Sequence, residues 1–235
     1  MYYPMYFDPT YLLVIVGVVI SLLAQARVKS TFSKYSKVRN TRGLTGAEAA
    51  QKVLNGAGIY DVRIERVSGN LTDHYDPRSK VLRLSDSVYG SATVAAVGVA
   101  AHECGHAIQH AKGYGPLKFR SVLVPVANFG AQIAWPLILI GLFIRSESAS
   151  LIINIGILAF SAAVLFQLVT LPVEFNASRR AIRVIADTGM MQGEEIKGAK
   201  KVLSAAAMTY VASAATAILQ LVRILLLTQG RRRND

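Results

Sequence analysis

Cysteine, acidic residues and charge in general are scarce in this chain, and each scarcity removes a class of protein. A single cysteine, Cys104, among 235 residues excludes an intrachain disulfide. Only 14 residues are acidic against 26 Lys and Arg, so the formal net charge is +12, yet charged residues make up just 17% of the chain and 52% is hydrophobic. That balance, with a mean hydropathy of +0.37, is too apolar for an ordinary soluble domain of this length. No Walker sequence is present, which argues against nucleotide hydrolysis. Asn55-Gly56-Ala57-Gly58 shares only its glycines with a phosphate loop and reads as a turn. The basic surplus comes without any nucleic-acid motif, so it reads as juxtamembrane anchoring to a lipid bilayer and not as a DNA or RNA surface.

What is abundant is long apolar sequence. Residues 9–26 carry no charge, and neither do 121–144 or 148–173; each is long enough to cross a hydrocarbon layer about 30 Å thick. The first lacks the basic flank and the small-residue cleavage site of a signal peptide and is expected to be a retained anchor. No Lys or Arg precedes it, whereas Arg27, Lys29, Lys34, Lys37, Arg39 and Arg42 follow closely. The positive-inside rule therefore places residues 28–120 in the cytoplasm. Arg145 to Glu147 then forms an external hairpin between the second and third spans. A fourth apolar stretch, 202–229, is long enough to span but contains Arg223 and runs into Arg231-Arg232-Arg233. Its small-residue first half suits close helix packing, and the expectation leans toward a fourth crossing. The architecture is thus mainly α, with three or four transmembrane helices.

Residues 28–86 are the one sizeable polar segment. Thr45-Gly46-Ala47-Glu48 reads as a capping box opening a helix that ends near Asn55-Gly56. Val62 to Val67 alternates like a strand, and Val81 to Leu84 does so again after an Asp76-Pro77-Arg78-Ser79 turn. Residues 91–112 form a further helix of small and apolar residues that contains His102-Glu103-Cys104-Gly105-His106. The two imidazoles lie four residues apart, about one turn, so both reach one metal ion, and Glu103 beside them can accept the proton of a hydrolytic water. Cys104, two residues from His102, is turned away from such an ion by about 200° of helix and is assigned to packing.

A hydrolytic zinc site takes three protein ligands. His110 is excluded, because eight residues of helix separate it from His102 by about 12 Å. His74 and several carboxylates are left. Of these, Glu174 fits best, in the segment 174–201, because it emerges beyond Pro172 where the third span returns to the motif's side of the membrane.

Together, LTDHYDPRSKVLRLS, AAVGVAAHECGHAIQH and LPVEFNASRRA resemble the YugP-like neutral zinc metallopeptidases of bacterial membranes, over nearly the whole chain. More distantly, they resemble the HtpX-type and CAAX prenyl proteases. The resemblance implies a small α+β zincin-like unit of gluzincin type in a multi-pass protein of the bacterial cell membrane. It also implies Zn2+ held by His102, His106 and Glu174, with Glu103 as catalytic base and a polypeptide substrate. The distant relatives commonly carry Asp four residues after the ligand Glu, where this chain has Ser178, the corresponding outer-shell position. Val81 to Leu84 is expected to pair with an extended substrate as a sheet edge, and His74 or Tyr75 to meet the developing oxyanion. The expected function is a membrane endopeptidase acting at the cytoplasmic face on membrane or membrane-proximal proteins, in quality control. The alternative is a non-proteolytic scaffold with a structural zinc.

Overall fold

The computed structural model describes residues 8–144 and 148–232, with backbone only for 229–232. The hairpin at Arg145 to Glu147 and the residue Arg233 lie outside them. The element order is α1 (Tyr11–Tyr35), α2 (Gly46–Gly56), β1 (Arg63–Val67), β2 (His74–Asp76), β3 (Val81–Ser85), α3 (Val94–Ala111), α4 (Gly115–Phe143), α5 (Ala149–Asp187) and α6 (Glu194–Arg232). The protein is mainly helical, with a small mixed sheet. Four helices, α1, α4, α5 and α6, are long and apolar enough to cross a membrane. The described residues divide into two compact units.

One unit contains 8–23, 119–170 and 210–232. Glycines let its helices approach closely: a Cβ at Gly130 would sit 2.5 Å from the Ala159 carbonyl oxygen, and one at Gly156 3.0 Å from that of Ala134. Without a hydrophobic driving force in lipid, such small-residue contacts and interhelical hydrogen bonds hold spans together. The Thr216 hydroxyl donates to the Gly17 carbonyl at 3.1 Å and meets Ser21 at 3.2 Å. Arg223, the charge that interrupts the fourth apolar stretch, is accommodated by Asp8 at 3.9 Å, the Thr10 hydroxyl at 3.3 Å and the face of Tyr11. An intramembrane cation is costly unless partnered.

The other unit, 24–118 with 171–209, has a conventional core. Thr45 and Glu48 form the capping box at the start of α2, worth about 1 kcal/mol. Val53 and Leu54 of α2 pack with Leu82 and Leu84 of β3 and with Val97, Ala101 and Cys104 of α3, all essentially inaccessible. The Cys104 thiol is buried against the Ala50 carbonyl, 3.6 Å away, and burial pushes its pKa well up, so it is an inert packing residue.

The sheet order is β1-β3-β2, with β1 parallel and β2 antiparallel to β3. This corrects one expectation. The segment Val81 to Leu84 is the central strand, hydrogen-bonded on both sides, and no free edge is left there for a substrate. Alternation does not mark an edge here, because Val81, Leu82 and Leu84 are all fully buried and β2, three residues long, is too short to carry a periodic signal. α5 also continues through Pro172 without interruption, so Glu174 lies on the same helix as the third apolar stretch.

Candidate metal centre

The site is assembled within the second unit, from α3 and the part of α5 that begins at Leu171. α3 is capped by Thr93, whose hydroxyl accepts from the Ala96 amide at 3.3 Å, and it carries His102, Glu103 and His106. α5 brings Glu174. The two come close because Gly105 faces Ala177: a Cβ at Gly105 would fall 2.6 Å from the Ala177 carbonyl oxygen, so any other residue would force the helices apart.

The Nε2 atoms of His102 and His106 lie 3.3 and 3.4 Å from the same Glu174 oxygen, Oε2, and the three ligand atoms lie within 4.8 Å of one another. Ligands at zinc bond lengths of about 2.0–2.2 Å in a tetrahedron are separated by about 3.3–3.6 Å, so the carboxylate oxygen stands from each imidazole nitrogen at the spacing of two ligands on one zinc ion. Two imidazoles and one carboxylate also suit zinc chemically. Glu174 is 2% exposed, and a carboxylate so far from water is expensive without a cation or a set of hydrogen bonds beside it. The residues therefore fit the metal. Glu103, 9% exposed, follows His102 directly.

Zinc needs the lone pair on each Nε2, and hydrogen bonds to the opposite nitrogens set that tautomer. His106 Nδ1 is 3.1 Å from Gln109 Oε1, while Gln109 Nε2 donates to the Val173 carbonyl at 2.8 Å and to Asn176 Oδ1 at 3.0 Å. The network has a defined direction. Arg180, which can only donate, gives Nε–H to Asn176 Oδ1 at 2.7 Å, so that atom is an oxygen. Both Gln109 amide protons are then spent, its carbonyl must accept, and His106 Nδ1 must carry the proton. Arg180 is itself seated over the Tyr114 ring, 5.8 Å from its centroid. On the other imidazole, Ser178 Oγ lies 3.1 Å from His102 Nδ1, so a hydroxyl occupies the place where the distant relatives carry a carboxylate.

The family model described as "putative neutral zinc metallopeptidase" matches residues 10–229. The chain belongs to that family. The "putative membrane protease YugP" of Bacillus subtilis (strain 168) is 48% identical over 223 residues, covering 94% of this chain and 98% of that protein. No solved structure matches the chain.

Within this metallopeptidase the structure brings His102, Glu103, His106, Glu174 and Ser178 into one neighbourhood and leaves the other two histidines elsewhere. Among the described residues, neither His74 nor His110 joins the ligand group. His74, exposed at the start of β2, meets the Thr72 carbonyl at 2.9 Å through Nδ1. Tyr75 holds His110 Nδ1 at 2.9 Å, and burial, with the charges of Asp61 and Asp76, raises its pKa to about 12. Gln109 and Asn176 escaped the sequence reading. The available signal was a glutamine one helical turn beyond His106, on the ligand-bearing face, but its partners come from α5 and cannot be inferred from that spacing.

These contacts give a prediction. Gln109→Ala should lower zinc affinity by about 10–100-fold, the usual consequence of losing an outer hydrogen-bond partner. It should do so more severely than Ser178→Ala, because Gln109 is fully buried and its loss also removes the link from His106 to Val173 and Asn176 of α5. Competition against a zinc chelator, read as retained metal, checks this; equal retention in wild type and Gln109→Ala would contradict it.

Proposed function

We propose that the chain is a membrane-integrated, zinc-dependent endopeptidase of gluzincin type, which hydrolyses membrane or membrane-proximal polypeptides at the cytoplasmic face as part of quality control. The observation that carries this reading is the convergence of both Nε2 atoms on one oxygen of Glu174, beside Glu103. In it, His102, His106 and Glu174 hold the metal. Zinc, when bound, supplies Lewis-acid activation of the hydrolytic water and of the scissile carbonyl. Glu103 takes the proton of the attacking water and returns it to the leaving amine. Gln109 and Ser178 orient the two imidazoles. His74 and Tyr75, which meet the Thr72 carbonyl and His110 Nδ1, are the groups offered to the developing oxyanion.

A structural zinc site usually closes with four protein ligands and has no use for a base. Among the described residues only three ligating groups come together, which favours the enzyme over a scaffold. The likeness to the "putative membrane protease YugP" of Bacillus subtilis and the four apolar helices support the membrane setting. The chain purified in detergent should cleave an unfolded membrane protein, lose that activity to a zinc chelator and regain it on zinc addition. Activity indifferent to chelation would refute the reading.

The cytoplasmic orientation rests on the six basic residues that follow the first apolar stretch. Ser68 is exposed, so in a Cys104→Ala background Ser68→Cys should resist a membrane-impermeant maleimide in intact cells and react once the cells are opened. Labelling of intact cells would reverse the orientation.

A further inference from the structure

We propose that a basic groove between the polar end of α1 and the beginning of α6 binds the phosphate of an anionic phospholipid headgroup, at a place separate from the metal centre. The groove is a cavity of about 600 Å³ into which Arg27 and Lys34 of α1 and Lys197, Lys200 and Lys201 of α6 are gathered. The hydroxyl residues Ser30, Thr31 and Ser204 also line it, and among its lining residues none is acidic. Lys197 is paired with Glu194 at 2.6 Å, but that pair is exposed on both sides and therefore contributes little. Five cations around one cavity repel one another, and an anion with several oxygens relieves that repulsion while accepting hydrogen bonds from ammonium, guanidinium and hydroxyl groups.

A free phosphate and a lipid phosphate share this chemistry, and the helices favour the lipid. α1 passes without a break from the uncharged stretch 9–26 into the groove wall. Arg27 to Lys34 then occupies about 11 Å of helix directly beyond the apolar residues, the depth at which a bilayer changes from hydrocarbon to headgroups. α6 repeats the change in reverse, with Lys197, Lys200 and Lys201 leading into the apolar run that starts at Val202. Each wall thus offers cations for a headgroup next to apolar helix for its chains. The six basic residues after the first span attract an anionic leaflet in general; the groove adds a defined seat for one headgroup.

The full chain in neutral detergent, titrated calorimetrically with dihexanoyl phosphatidylglycerol, dihexanoyl phosphatidylcholine or inorganic phosphate, tests this, and the Glu103→Gln variant serves equally well because the site does not depend on peptidase activity. Saturable binding of phosphatidylglycerol is expected, with much weaker binding of the other two. Arg27→Gln/Lys200→Gln/Lys201→Gln should weaken it by about 100-fold, at roughly fivefold per cation removed. The matched triple Lys52→Gln/Arg78→Gln/Lys112→Gln, with the same change in net charge outside the groove, should bind as wild type. If the groove triple fails to fold, Lys200→Gln alone should still show a loss of about fivefold, and Lys200→Arg should restore binding. Equal losses in the two triples, or in the single variant no loss, would overturn the site. Equal binding of phosphatidylcholine, or inorganic phosphate as tight as the lipid, would overturn the assignment to an anionic lipid.

Discussion

Glu103→Gln is expected to keep its zinc and to lose peptide hydrolysis by about 10²–10⁴-fold, the range that general acid–base catalysis contributes. The amide has nearly the shape of the carboxylate and Glu103 is not among the three clustered ligand groups, so metal binding should survive. What disappears is the proton acceptor. Glu103 is only 9% exposed, so bulk water is poorly placed to take over that role. Metal content and single-turnover cleavage, measured on the same preparation, separate the two effects: an unchanged rate would take Glu103 out of the mechanism, while loss of zinc would make it a ligand or a structural support. Because kcat should fall with little change in KM, the pattern differs from that of a defect in substrate binding.

The second large effect is expected at Glu174. Both imidazoles face one of its carboxylate oxygens at 3.3 and 3.4 Å, so Glu174→Ala removes the one anionic donor and leaves two neutral nitrogens. Zinc affinity should fall by more than the roughly 10–100-fold that an outer partner costs. The variant should still fold, since it removes a buried charge from α5 and not an apolar packing group. His110→Ala loses a hydrogen bond with Tyr75 and His74→Ala one with the Thr72 carbonyl, and both should retain full zinc. Metal analysis after dialysis decides the matter. Full occupancy in Glu174→Ala, together with depletion in either histidine variant, would sink the assignment. Zinc binding in the wild type should also weaken as pH falls, with an onset above the free-histidine value of about 6.5. Burial disfavours the protonated His106 ring, but its hydrogen bond to Glu174 and the nearby Glu103 charge outweigh this and raise its pKa, so protons compete with the metal from higher pH than they would at a free imidazole.

Legibility followed the range of the interactions. The one-turn spacing of His102 and His106, the capping box of Thr45 and Glu48, and uncharged runs long enough to span a bilayer are local properties, and local rules read them correctly. Helical geometry alone also disqualified His110. The sheet was less legible, since Val81 to Leu84 alternates in sequence but sits at the centre, between a parallel and an antiparallel neighbour. Pairing order depends on residues far apart in the chain, and a three-residue strand such as β2 carries almost no periodic signal.

An H-E-x-x-H helix among membrane-length apolar segments is legible from the chain alone, because a 3.6-residue period and a run of uncharged side chains are written in neighbouring residues. The surroundings of that motif are a property of the fold. It places Glu174 against both imidazoles, aligns Gln109 with Val173 and Asn176, sets Ser178 on His102, and allows the close approach of α3 to α5 at Gly105. Each of these depends on the register between two helices separated by some seventy residues of chain. That register comes from packing and from the direction of hydrogen bonds across the interface, which no local pattern in either helix encodes.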